Sequence, residues 1–134
     1  MSPADRIFHF LMQRCPLDKA SPHMRAWFDW YWRDGRVFAV QERGEIVAAA
    51  LVRRVADAAQ GDTEQNAHSD AAPLLWIEWA ANTRGARAWC ILAHHVGQRW
   101  PAWPSHFAYN RAGRTGRAPR ILNTAAFFER LSHG

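Results

Sequence analysis

One carboxylate, Glu78, interrupts the otherwise apolar run Leu74-Leu75-Trp76-Ile77-Glu78-Trp79-Ala80-Ala81. A carboxylate set between Ile77 and Trp79 loses water, and lost hydration raises its pKa. Such a group can take a proton from an ammonium near neutral pH, the work of a general base. The same residue also fits a strand-edge glutamate that faces solvent or pairs with an arginine. A few residues on, Thr83-Arg84-Gly85-Ala86-Arg87-Ala88 lies where an extended run gives way to a helical one. The first backbone N–H groups of a helix have no partner within it, so they can hold a phosphate, and Arg84 and Arg87 add charge there.

Other reactive side chains form weaker patterns. His94 and His95 are adjacent, which on a helix points them about 100° apart, and they do not share a face. The sequence has no HExxH and no cysteine pair at ligand spacing, so no metal is expected. Cys15 and Cys90 are read as reduced, buried thiols. Arg111, Arg114, Arg117 and Arg120 recur every third residue, with Gly113 and Gly116 between them. This tract could follow a phosphate backbone, dock an acidic carrier protein, or be a solvated basic loop.

Positioning these residues requires a particular order of elements. A helix over 3–14 is predicted, with Ser2 as cap, Pro3 in the first turn and an apolar stripe of Ile7, Phe8, Leu11 and Met12. A second over 22–33 carries Met24, Trp27, Phe28 and Tyr31 on one face, capped by Ser21 and stopped at Gly35. Trp30 and Trp32 lie off that stripe and need a second contact or partial exposure. Residues 36–41 and 46–55 read as an antiparallel hairpin turned at Gly44. The small side chains of Ala48, Ala49 and Ala50 would admit a large partner. Residues 56–73 lack large apolar side chains and are expected to form a flexible acidic loop. A central strand at 74–81 then leads by a helix over 86–99 to a parallel strand at 105–110. Ile121 and Leu122 add a short strand, and Asn123 caps a last helix. This is an α/β class domain with a mixed sheet, spanning 1–134.

That order, together with Arg84-Gly85-Ala86-Arg87-Ala88 after a strand, resembles the GCN5-related N-acyltransferase (GNAT) superfamily. Its members cradle the coenzyme A pyrophosphate on an Arg/Gln-x-x-Gly-x-Gly/Ala turn. Gly85 and Ala88 fit that turn, whereas Arg87 stands where the second glycine is expected. A narrower likeness is to the RTX toxin-activating lysine acyltransferases, through Cys15-Pro16-Leu17-Asp18, the hairpin, and Trp76-Ile77-Glu78-Trp79-Ala80. Those enzymes use a histidine and an aspartate, with an acyl-carrier protein as donor. Glu78 matches the acid conservatively; Asp18 occupies the histidine position, with His23 five residues later. The resemblance implies Glu78, His23 and Asp18 as catalytic candidates and Thr83 to Ala88 as donor-binding residues. It further implies acetyl-CoA or an acyl-carrier thioester as donor, and a pair of splayed strands with a cleft beside Glu78.

Composition bounds the function classes. The chain has 134 residues, 49% hydrophobic and 22% charged, which suits one globular domain. Eight tryptophans are too many for one such core to hide, so some should line a groove or interface. No leader or membrane span is expected, which points to a cytoplasmic protein. Sixteen of the seventeen basic residues are arginine, and the net charge is +5. The charge is polarised: residues 56–72 hold Asp57, Asp62, Glu64 and Asp70 without a base, and residues 99–120 hold five arginines without an acid. Three readings follow: an N-acyltransferase, a non-catalytic relative that binds protein or dimerises through its tryptophans, and a small basic nucleic-acid-binding domain.

Overall fold

The computed structural model describes residues 1–14, 23–102, 104–110 and 119–133. The order is α1 (Pro3–Arg14), α2 (His23–Arg33), β1 (Val37–Glu42), β2 (Glu45–Val55), α3 (Ala58–Thr63), β3 (Leu74–Asn82), α4 (Ala86–Arg99), β4 (His106–Tyr109), β5 (Arg120–Asn123) and α5 (Thr124–His133). The five strands form one mixed sheet in sequential order, β1-β2-β3-β4-β5. All pairs are antiparallel except β3 with β4, which the α4 crossover joins in parallel.

Local chemistry accounts for the element ends. Ser2 Oγ accepts from the Asp5 amide at 3.1 Å, which satisfies one of the free donors of α1. Gly35 and Gly44 take φ of 70° and 82°, the left-handed stop after α2 and the hairpin turn. Asn123 Oδ1 accepts from the Ala126 amide at 2.9 Å at the start of α5.

Two layers cover the sheet. On the first face α1 and α2 bury Ile7, Phe10, Leu11, Met24, Phe28 and Tyr31 against Ala49, Leu51, Trp79 and Ala81. On the second, α4 brings Ala88, Leu92, Val96 and Trp100 onto Phe38, Val40, Val47, Ala48, Ala50 and Val52. The three consecutive alanines therefore serve both layers, Ala49 below α1 and α2 and its neighbours below α4, because successive side chains alternate across a strand. Trp30, off the buried stripe, lies under the guanidinium of the buried Arg36, 4.0 Å from its centroid. Trp32 is 39% exposed and stacks on Phe28.

Two sequence expectations are corrected. Residues 56–73 are not wholly loop: Asp57 caps α3, accepting from the Gln60 amide at 2.8 Å. A Cβ added to Gly61 of α3 would stand 2.3 Å from the Trp76 ring, so only glycine lets this segment lie flat on it. The segment lacks large apolar side chains because it meets the sheet closely, through Gly61 and the small Ala58 and Ala67. Cys90 is exposed, not buried; it sits on α4 away from the Leu92–Val96 side. Cys15 lies outside the described residues.

Candidate functional site

The site is built where β3 bends. Leu51 of β2 faces Trp79 and the next residue, Val52, faces Ile77. Glu78 is thus the extra residue of a β-bulge, and a bulge re-aims side chains. Alternation from Trp76 already puts Glu78 on the face of Arg53 and Tyr31, and the bulge brings the next residue, Trp79, to that same face; there Glu78 Oε2 accepts from Trp76 Nε1 at 2.7 Å, Arg53 Nη2 at 3.2 Å and Tyr31 Oη at 3.4 Å. The side chain keeps 15% exposure. Burial pushes its carboxyl above the usual carboxylate range, against the pull of Arg53 and the hydrogen bonds from Trp76 and Tyr31. Both sequence readings of this residue hold together: it is desolvated and it is paired with an arginine.

Arg53 is fully buried and uses all five of its donors. Nε donates to Tyr31 Oη at 2.9 Å, Nη1 to the carbonyls of Glu64 and Ala67, and Nη2 to the Gly61 carbonyl and Glu78. It therefore ties the 61–67 backbone to the bulge. Burial likewise drives the Tyr31 phenol upward, so it stays protonated. Neither residue was singled out as a site residue from sequence. The available signal was Arg53 itself, which alternation places on the same face as Leu51 and Val55, both core positions.

Beyond the bulge β3 loses one neighbour. Its parallel pairing with β4 runs from Leu74–His106 to Ile77–Tyr109 and stops there. Residues 78–82 pair with β2 alone among the described residues. After Tyr109, Asn110 turns to Asp62, with Nδ2 2.6 Å from Oδ1.

The expected strand–turn–helix is present. β3 ends at Asn82, whose Oδ1 accepts from the Arg84 and Gly85 amides at 2.7 and 3.1 Å and whose Nδ2 donates to the Gly85 carbonyl at 2.7 Å. Thr83 is fixed by two bonds to the Val47 carbonyl. Gly85, at φ 80°, precedes α4 with no side-chain cap. Open space surrounds its Cα. The amides of Ala86, Arg87 and Ala88 have no partner among the described residues, and Arg87 is exposed. These three amides fit a phosphate; Asn82 already occupies those of Arg84 and Gly85. Arg84 is engaged with Glu42 at 3.3 Å.

The remaining candidates are placed apart. His23 is exposed at the start of α2, about 12 Å along the helix axis from Tyr31, the residue that touches Glu78. Asp18 lies outside the described residues, as do Arg111, Arg114 and Arg117. His94 is exposed and its ring is 6.1 Å from that of His95. No three metal-ligating side chains converge among the described residues. No helix among them is long and apolar enough to cross a membrane.

His68 and Asp70 form a carboxylate–imidazole pair, 2.9 Å apart. His68 Nδ1 already accepts from the Arg54 amide at 3.0 Å, so neither ring nitrogen is open for proton transfer. Asp70 also accepts from Trp100 Nε1 at 2.9 Å. The pair anchors the 56–73 segment.

The chain matches no protein-family model, no curated protein and no solved structure.

Proposed function

We propose that this chain is a GNAT-type N-acyltransferase that passes an acyl group from a coenzyme A or acyl-carrier thioester to an amine. One observation carries the reading: the pairing of β3 with β4 ends at Ile77–Tyr109, beside the bulge that holds Glu78, and β3 ends in a turn whose helix starts with amides that have no partner among the described residues. Alternate amides of residues 78–82 on that side of β3 have no ladder partner among the described residues, which leaves them for a donor. Four residues of strand, about 13 Å, separate Glu78 from Asn82. That spacing suits a donor whose phosphate and thioester lie at opposite ends of a long arm.

The donor supplies an activated carbonyl and a thiol leaving group. Ala86, Arg87 and Ala88 bind its phosphate through their amides, and Arg87 adds charge. Oε2 of Glu78 is held by three donors, which leaves Oε1 to take the proton from an incoming ammonium. The freed lone pair attacks the carbonyl carbon to form the C–N bond, and an amide of β3 stabilises the charge that gathers on the oxygen; collapse then breaks the C–S bond, and the thiolate leaves as the thiol with the proton that Glu78 took up. His23 and Asp18 remain candidates for the acceptor side.

The test is thiol release from acetyl-CoA and from an acyl-carrier thioester, with lysine-containing peptides and polyamines as acceptors. Release should fall at least a hundredfold in Glu78→Gln, and coenzyme A should raise the melting temperature. Absence of both effects for both donors ends the proposal.

A second reading, a non-catalytic module with this fold, is favoured by the saturation of Glu78 Oε2 and Arg53, the pattern of a structural strut. A melting temperature that rises with protein concentration and ignores both donors would support it.

A further inference from the structure

On the opposite sheet face from Glu78, β4, β5 and α5 border an open depression of about 290 Å³, lined by Tyr109, Arg120, Leu122, Phe127, Arg130 and Leu131. The register explains its make-up. Tyr109 faces Arg120 and Phe107 faces Leu122 across β4 and β5, so Tyr109, Arg120 and Leu122 project to one side. Phe127, Arg130 and Leu131 of α5 stand at i, i+3 and i+4, one helix face, and close over them. Phe127 meets Phe107 edge-on at 5.2 Å, which fixes the helix on the strands.

Its polar groups are unspent. Most guanidiniums facing other elements are engaged: Arg25 with Asp5 and Asp29, Arg84 with Glu42, Arg99 with Asp70. Arg120 and Arg130 have neither an ion pair nor a hydrogen bond among the described residues, and the Tyr109 hydroxyl has no partner there either. Two cations from different elements, brought to one apolar hollow without a counter-charge, repel each other unless an anion lies between them. A guanidinium prefers the oxygens of a carboxylate or phosphate, which its fork can grip at two points.

We infer that this depression binds a small organic anion, a carboxylate or phosphate joined to an apolar or aromatic body. The head group lies between Arg120 and Arg130 and accepts from Tyr109; the body rests on Leu122, Phe127 and Leu131. The volume is at the small end of ligand pockets, which limits the body to about one ring or a medium alkyl chain. The site lies across the sheet from Glu78 and shares no residue with the donor site proposed above. It stands or falls independently of acyl transfer.

Titration calorimetry of the full chain with phenyl phosphate and with octanoate tests this. One or both should bind saturably at one site, at least tenfold more tightly than inorganic phosphate and than octanol. The double variant Arg120→Gln/Arg130→Gln should weaken that binding tenfold or more, while its ligand-free melting temperature stays within about 2 °C, because both side chains are exposed. Binding by neither probe overturns the inference. So does octanol binding as well as octanoate, or binding that the double variant leaves unchanged. Tighter binding of phenyl phosphate assigns the head group as phosphate; tighter binding of octanoate assigns it as carboxylate.

Discussion

Two arginine clusters flank the same stretch of sheet, one on each face, and they have opposite states. Under α3, Arg53 is fully buried and gives five hydrogen bonds to Tyr31, Glu64, Ala67, Gly61 and Glu78. On β5 and α5, the guanidiniums of Arg120 and Arg130 are exposed beside an apolar hollow and give none among the described residues. Charge in the sequence is the same in both places. What separates a strut from a binding group is whether the donors are spent. A buried guanidinium without partners would cost several kcal/mol, so Arg53 must collect carbonyls from the loop it crosses. An exposed one keeps its hydration and can exchange it for a ligand.

The strongest way to break the contrast is Arg53→Met. It removes five hydrogen bonds and leaves Glu78 buried without its cation. A loss of about 3–5 kcal/mol is expected in urea unfolding, against about 0.5 kcal/mol or less for Arg130→Met. Equal effects would show that the Arg53 cluster is no strut. Next is Gly61→Ala. The added methyl collides with the fully buried Trp76 ring, at a cost of about 1–3 kcal/mol. Its gain in helix propensity, about 1 kcal/mol, does not offset this. The variant should melt lower, and tryptophan fluorescence should shift red as Trp76 is uncovered. Asn82→Ala follows, at about 1 kcal/mol, because it frees two amides and a carbonyl at the turn before α4. It should also alter donor affinity more than Arg84→Gln does, since Arg84 is occupied by Glu42.

Much of this scaffold is legible in the sequence. α1, the hairpin, α4 and the parallel partner of β3 fall where capping, turn glycines and periodicity place them, because each obeys a local rule. The mixed sense of the sheet follows from the same pattern, whereas the strand order comes from the structure. Three features were not legible. α3 has no apolar periodicity, since backbone and a glycine, not side chains, make its contact with Trp76. The bulge at Glu78 is a register event between β2 and β3, and nothing within β3 announces it. The partnership of Arg53 with Glu78 spans 25 positions and rests on the β2–β3 register, which pairs Arg53 with Trp76. Cys90 was misread because Trp89, its neighbour, drew it toward the core; helix rotation places the two about 100° apart.

The finest comparison is between the two buried titratable anchors of the 56–73 segment, His68 and Glu78, whose pH effects have opposite sign. Burial holds the His68 ring below its ordinary value, and Arg36 and Arg99 act the same way against the pull of Asp70. Its neutral form also accepts from the Arg54 amide, which a protonated ring cannot do. The unfolded chain therefore binds the extra proton more readily near pH 6.5. The contribution of His68 is complete above about pH 6.5 and falls as the pH drops through the lower, folded value. Glu78 is raised by burial, so acid favours its folded form and opposes that loss. The wild-type slope of stability between pH 7.5 and 5.5 should accordingly be shallow but positive. His68→Gln removes only the histidine, and its slope should turn flat or negative over the same range in urea titrations. Coincident slopes would show that the ring is not held neutral, and that Glu78 alone sets the acid response of this face.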